Sequence, residues 1–180
     1  MRLLLSLIPL GFATLANAGC PTAPDIALAE GRILESIQAA PSEMAARPLS
    51  QELWALWAKA PNSIAQEMLD AGMQARSYGD YRLALSKFDD LVDYCPDYAE
   101  GYNQRAFVNY LSGRYELALN DLDLAIARSP RHVAAIAGKA LTLIGLGRDA
   151  EAQLILREAL ALNPWLSERH LLTEPPGEEL

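Results

Sequence analysis

The side chains that could carry chemistry are few and scattered. His132 and His170 are the two histidines, and Cys20 and Cys95 the two cysteines. Carboxylates cluster at Asp89, Asp90 and Asp93 and again at Asp121 and Asp123. Asp89 and Asp93 fall one helical turn apart, yet no histidine or third ligand accompanies them, so solvated carboxylates are the simpler reading than a metal site. His132 follows Pro130-Arg131 at an expected helix start, with Ile136 one turn on, and reads as a solvent-exposed residue. His170 has Glu174 one turn on, inside a proline-rich tail that offers no fixed geometry. No G-x-S-x-G, H-E-x-x-H, Walker or dinucleotide fingerprint occurs, and Gly145-Leu146-Gly147 has no strand before it to make a phosphate loop. The sequence therefore predicts no enzyme, no cofactor and no metal.

The cysteines are too far apart for a C-x-x-C redox pair or a zinc-binding pair. In an oxidising compartment their simplest fate is a Cys20–Cys95 disulfide. A buried Cys95 with a free or modified Cys20 is the alternative. The compartment itself is read from the leader. Residues 1–18 carry one charge, Arg2, then an apolar run from Leu3 to Leu15, then Ala16-Asn17-Ala18, the small-x-small pattern of a cleavage site. The run is short for a membrane anchor. Cleavage after Ala18 would send the protein to the periplasm or outside the cell. Ala18-Gly19-Cys20 also resembles a lipoprotein signal, in which Cys20 would anchor lipid, but Asn17 stands where that pattern wants an apolar residue.

The formal charge is −8, and without Arg2 it becomes −9. An acidic chain with no basic block does not suit nucleic acid or anionic lipid, and it needs no inserted membrane segment. Solubility or a basic partner fits better.

The elements that must position these residues follow a repeat. Gly79, Gly113 and Gly147 are spaced by 34, as are Ala84, Ala118 and Ala152, and Pro96, Pro130 and Pro164. The glycine suits a helix–helix turn, the alanine a close helix crossing, and the proline the end of a second helix. Large apolar residues recur at helical spacing, as in Leu85, Phe88, Leu91 and Val92, then Leu119, Leu122 and Ile126. A segment with this period is a stack of helix pairs, each unable to bury its apolar face alone.

On these residues the chain resembles the tetratricopeptide repeat (TPR) family over residues 65–164. The family's small first-helix position falls on Gly72, Ala106 and Ala140. Its large second-helix position falls on Phe88, Leu122 and Leu156, and a late small position on Leu91, Ala125 and Ala159, where Leu91 departs by bulk. The resemblance implies an all-α fold, an α-solenoid of antiparallel helix pairs with TPR units at 65–98, 99–132 and 133–166. A short cap and disordered tail follow over 167–180, with Trp165, Leu166, Leu171 and Leu172 closing the last pair.

Residues 19–64 precede the repeats. Asp25 caps an expected helix to about Ala39, Glu43–Arg47 form a turn, and Ser50 caps a second helix to about Lys59. Trp54 and Trp57 stand 34 before Phe88 and Leu91, which suggests a degenerate leading repeat facing the first full copy. An unrelated capping pair with both tryptophans buried is the other reading.

The resemblance also implies a concave groove lined by first helices. Leu69, Met73 and Arg76 would line it in the first copy, and Glu100, Asn103, Phe107 and Tyr110 in the second. Ala134, Ala137, Leu141 and Ile144 would line it in the third. Phe107 and Tyr110 could anchor a side chain and Asn103 a backbone, or the two aromatics could pack on the neighbouring copy. The basic carboxylate clamp of some family members would need cations at Leu69, Ala134 and Gly138, and has none. The small apolar face of the third copy suits an apolar peptide, another helix or a segment of this chain. Arg105 and Lys139 read as covering stems that pair with Asp121 or Asp123. The expected function is a protein- or peptide-binding adaptor of the bacterial cell envelope. The alternative is a structural or oligomer-forming subunit.

Overall fold

The computed structural model describes residues 19–173. The expected leader and all of the tail beyond Thr173 lie outside it. Among the described residues there are eight α-helices and no strand. They are α1 (Ala27–Gln38), α2 (Glu43–Trp57), α3 (Ser63–Ser77), α4 (Tyr81–Tyr94), α5 (Ala99–Leu111), α6 (Tyr115–Arg128), α7 (Val133–Gly145) and α8 (Asp149–Leu162), with a 3-10 turn at Ser167–Leu171.

Helices α3–α4, α5–α6 and α7–α8 form three antiparallel hairpins, and α4 packs on α5 and α6 on α7 to stack them. The turns use Gly79, Gly113 and Gly147 at φ of +78°, +70° and +71°, a region where a Cβ would be strained. Close helix approach has its own requirement. A Cβ on Gly72 would stand 2.4 Å from Cε1 of Phe88, so the ring of α4 fills the space a side chain on α3 would take. Ala106 and Ala140 occupy the matching positions of α5 and α7 and are buried. Leu69, Phe88, Leu91 and Val108 fill the core of the first stack, and Tyr102, Ala106, Leu122 and Ala125 the next.

On the outer side, Arg105 joins two hairpins. Its Nε and Nη2 donate to Asp121 at 2.9 and 2.6 Å and its Nη1 to Asp89 at 2.9 Å. Lys139 reaches Asp123 at 2.6 Å. Asp121 is therefore a buried ion-pair partner and not the solvated carboxylate its neighbours in sequence suggest.

The N-terminal hairpin α1–α2 departs from expectation in two ways. First, α2 is one helix. Ser42 caps it by accepting from the Ala45 N–H, and Pro48 sits within it without breaking it. The carbonyl that Pro48 leaves without a donor is that of Met44, an exposed residue. Second, the hairpin is not a leading repeat. Instead of stacking on α3 it packs on the other end of the solenoid. Ile33, Leu34, Ile37, Leu53 and Trp57 form one cluster with Val133 of α7, bordered by Ala134, Leu162, Trp165 and Leu166.

Polar bonds fix this seat. Gln38 Nε2 donates to the Ala161 carbonyl at 2.8 Å, and the Trp165 indole N–H donates to the Ile37 carbonyl at 3.1 Å. Arg169 pairs with Glu43 at 2.8 Å. Trp165 and Leu166 thus join the two ends of the chain as well as covering α8. At the front, Cys20 and Cys95 form a disulfide with Cα atoms 5.1 Å apart. At the back, Asn62 Nδ2 donates to Tyr94 Oη at 3.0 Å. Both ends of the segment carrying α1 and α2 are therefore held at the C-terminal end of α4, while its middle lies against α7, α8 and the turn that follows.

Candidate functional site

The first helices α3, α5 and α7 lie side by side and form the inner face of the solenoid. The α1–α2 hairpin covers part of that face and leaves an open cavity of about 380 Å³ beside it. Five helices and the C-terminal turn line the cavity, with Leu122 as the contribution of α6. Helix α5 contributes Asn103, Gln104, Phe107 and Tyr110, whose spacings of three and four place them along one side of the helix. Helix α7 contributes Ala134, Ala137, Gly138 and Leu141, and its small residues leave the space. Trp54 comes from α2, Arg76 from α3, and Leu166, Ser167 and Glu168 from the C-terminal turn. Two aromatic side chains face solvent here, Trp54 at 42% exposure and Phe107 at 44%.

Of the residues expected in the groove, Asn103, Phe107, Tyr110 and Leu141 line this cavity, as does Arg76. Three do not. Leu69 is fully buried in the first stack, where it meets second-helix residues, and Met73 packs against that same core. Ile144 sits near the end of α7 and packs with Leu119, Leu143 and Ile155 around the last turn. These positions point between helices, not into the groove.

Behind the cavity runs a buried polar network that the sequence did not bring together. Glu100 is 1% exposed and accepts from Asn103 Nδ2 at 3.0 Å and Gln104 Nε2 at 2.5 Å. His132 is also 1% exposed, which corrects its reading as a solvent-facing residue. Its Nδ1 caps α7 by accepting from the Ala135 N–H at 3.2 Å, which places the ring proton on Nε2. That atom donates to Glu100 Oε2 at 2.8 Å.

Trp57 closes this network. Its indole stacks on the His132 ring, and its N–H donates to Glu30 Oε1 at 2.9 Å. Glu30 in turn meets Arg131 at 3.1 Å. The Tyr98 hydroxyl donates to the Trp57 carbonyl at 2.8 Å, and burial pushes that phenol well above its usual range. The tryptophans therefore split in role. Trp57 holds the hairpin against the residues that open α5 and α7, Tyr98 and His132, and Trp54 is left as a cavity wall.

Sequence offered one signal for this arrangement. Tyr98 and His132 are 34 apart and both occupy the residue just before a first helix. Their repeat register puts them in line to grip the same residue, Tyr98 at that residue's backbone carbonyl and His132 at its ring. Nothing in the spacing said that the residue would be Trp57.

Arg76 links network and cavity. Its Nη1 donates to Gln104 Oε1, and its guanidinium lies over the Phe107 ring, 4.8 Å from the centroid. Burial lowers its pKa, and the charge of Glu100 opposes that shift. Among the described residues no three His, Cys, Asp or Glu side chains converge as a metal site. No described helix is long and apolar enough to cross a membrane.

No protein-family model matches the chain. A TPR repeat-containing protein of Rhizobium etli is 36% identical over 66 residues, which is 37% of this chain and 32% of that one. Tetratricopeptide repeat protein 36 of Mus musculus is 33% identical over 110 residues, 58% of this chain and 59% of that one. The chain thus spans between a third and three fifths of the length of these curated relatives.

Solved structures with the same fold include the TPR2B domain of yeast Sti1 in its pHsp70 complex. Its TM-score is 0.56 at 24% identity, over 59% of this chain and 88% of that one. MamA of Desulfovibrio magneticus gives a TM-score of 0.53 at 20% identity, over 79% of this chain and 78% of that one. The fold is a TPR-like helical repeat, and the named relatives support kinship with that repeat family.

Proposed function

We propose that the chain is a protein-binding adaptor that takes a peptide segment of its partner into the inner-face cavity. One observation carries the reading. Trp54 and Phe107 stand about half-exposed on walls supplied by separate helices, around a space that the chain's own hairpin leaves open. Apolar anchors with a few fixed polar groups are the usual composition of a recognition pocket, and Asn103 and Arg76 are fixed by the network behind them. The Sti1 domain with the same fold is in a pHsp70 complex, which lends the reading further weight.

We place this adaptor in an oxidising compartment outside the cytoplasm, the bacterial periplasm or cell envelope. The leader at residues 1–18 and the Cys20–Cys95 disulfide support that placement. A Cys20 sulfur bonded to Cys95 carries no thiol to alkylate, so this reading disfavours the lipid anchor. Alkylation mapping of protein isolated without reductant tests the placement: both cysteines should resist labelling until reduced.

The competing reading is a structural subunit that packs through its outer surface, where Leu117 and Leu154 are exposed. Co-purification from the native compartment separates the two. Phe107→Ala and Trp54→Ala should lose the partner while keeping native helicity, and Leu154→Ala should keep it. Loss of partner only in Leu154→Ala would favour the structural subunit.

A further inference from the structure

We propose that Arg76 makes the inner-face cavity selective for a partner segment that sets a side-chain carboxylate beside a bulky apolar anchor. This rests on the adaptor reading above and goes on to name the ligand's chemistry.

Arg105, Arg131, Arg148 and Arg169 each hold a carboxylate within ion-pair distance, Arg128 and Arg157 bond backbone carbonyls, and no described arginine other than Arg76 lines this cavity. Arg76 is half-buried, lines the cavity, and among the described residues has no carboxylate oxygen in ion-pair contact. A guanidinium has five N–H donors, and this one spends a single bond on Gln104 Oε1. The bond is directional, because Gln104 is itself fixed by donating to Glu100. The guanidinium carbon lies over the Phe107 ring, and with the Gln104 bond this contact limits where the remaining donors can turn.

Desolvation already works against the charge on Arg76. A carboxylate brought in by a ligand would restore what burial removed, and its bonds would be charge-assisted. The apolar half of the ligand is set by what surrounds that charge. Trp54, Phe107, Tyr110 and Leu141 form walls around the open space next to Arg76, and the small residues of α7 form its floor. Glu168, which accepts from Ser167 Oγ at 3.1 Å, is the other charged lining residue. It repels a carboxylate, so an acidic ligand is favoured only with its acid turned to Arg76. A lysine at that place would repel the guanidinium, and an uncharged amide would accept a bond without supplying the opposite charge.

The test uses the purified protein with its disulfide intact and an array of short acetylated, amidated peptides. Each carries one Leu, Phe, Trp or Met flanked by Glu, Gln or Lys on a Gly/Ser background. Wild type should retain the Glu peptides about tenfold better than the matched Gln peptides, and the ratio should fall as salt is raised. Arg76→Gln should bring Glu and Gln peptides to equal retention, Arg76→Lys should keep part of the preference, and Phe107→Ala should lose both kinds.

Equal retention of Glu and Gln by wild type, or a preference that survives Arg76→Gln, overturns the acid selectivity and leaves the adaptor reading standing. Retention of no peptide by wild type overturns both. If Arg76→Gln loses its helical spectrum, Arg76→Lys and the salt dependence in wild type decide. A preference insensitive to both overturns the proposal.

Discussion

The indole of Trp57 lies flat on the imidazole of His132, with ring centroids 4.1 Å apart and planes 14° from parallel. Seventy-five residues separate them in sequence, and no other aromatic stack among the described residues joins the N-terminal hairpin to a repeat. The contact makes α1–α2 part of the folded solenoid, because breaking it also takes the indole donor from Glu30 and uncovers the His132–Glu100 pair.

Trp57→Ala should therefore destabilise the protein by about 3–5 kcal/mol, the range for removing a large buried aromatic. Trp57→Phe keeps a ring on His132 and loses only the indole N–H to Glu30. It should cost less, about 1–3 kcal/mol. Chemical denaturation of the three proteins measures the order. Equal stabilities would mean that the hairpin is not held by this contact.

The Tyr98 phenol gives a pH signature. Burial raises its folded-state pKa above the unfolded value of 10.0, and the charges of Glu100 and Asp70 add to the shift. Stability from this group is fully present below about pH 10 and is lost as pH rises from there toward the folded value. Denaturation curves taken between about pH 9 and 11 should show wild type losing stability with a steeper slope than Tyr98→Phe. At neutral pH the variant should be weaker by about 1 kcal/mol, the worth of the hydroxyl's bond to the Trp57 carbonyl. Parallel curves across the alkaline range would contradict the burial of the phenol.

How much of this was legible in sequence depended on what each residue answers to. The 34-residue register predicted three hairpins because turn glycines, crossing alanines and closing prolines answer to local geometry. The family resemblance placed Phe107 and Tyr110 in the groove, and the same register placed Leu69, Met73 and Ile144 there, which packing within the first and last hairpins takes up instead. The expected turn at Glu43–Arg47 and the helix from Ser50 are one helix that runs through Pro48. A proline opposes a helix by the bond it removes and the room its ring needs, and both fall here at Met44, an exposed residue. The seat of α1–α2 was not legible. Leu53 and Trp57 say which side of α2 is buried, but an apolar stripe carries no address, and a neighbouring repeat is as good a guess as a distant one. His132 was hidden for a related reason: its burial depends on partners from α2 and α5.

The disulfide clasp makes a separable prediction. Cys20 and Cys95 are 75 residues apart, and opening a loop of that length should cost about 2–4 kcal/mol. Cys20→Ser and Cys95→Ser should each lower the melting temperature, and hydrogen exchange should quicken in α1 before it does in α5. Uniform acceleration across all helices would mean that the bond stabilises the domain without specially holding the hairpin.

Gly72 tests the close packing of the first hairpin. Gly72→Ala forces its Cβ into the Phe88 ring and should cost about 1–3 kcal/mol. Phe88→Leu placed in the same chain should recover part of that loss, although Phe88→Leu alone is destabilising. Additive losses in a double-mutant cycle would show that the two residues do not compete for the space.

The account turns on the inner-face cavity being where a partner is held, and a photo-reactive residue reads that directly. A benzoylphenylalanine placed at Tyr110, on the cavity wall, is compared with one at Leu117, on the outer surface, each irradiated in the native compartment. The account predicts a discrete adduct from position 110 that is lost when Trp54→Ala is added, and none from position 117. A discrete adduct from position 117 alone, with position 110 silent, would contradict it.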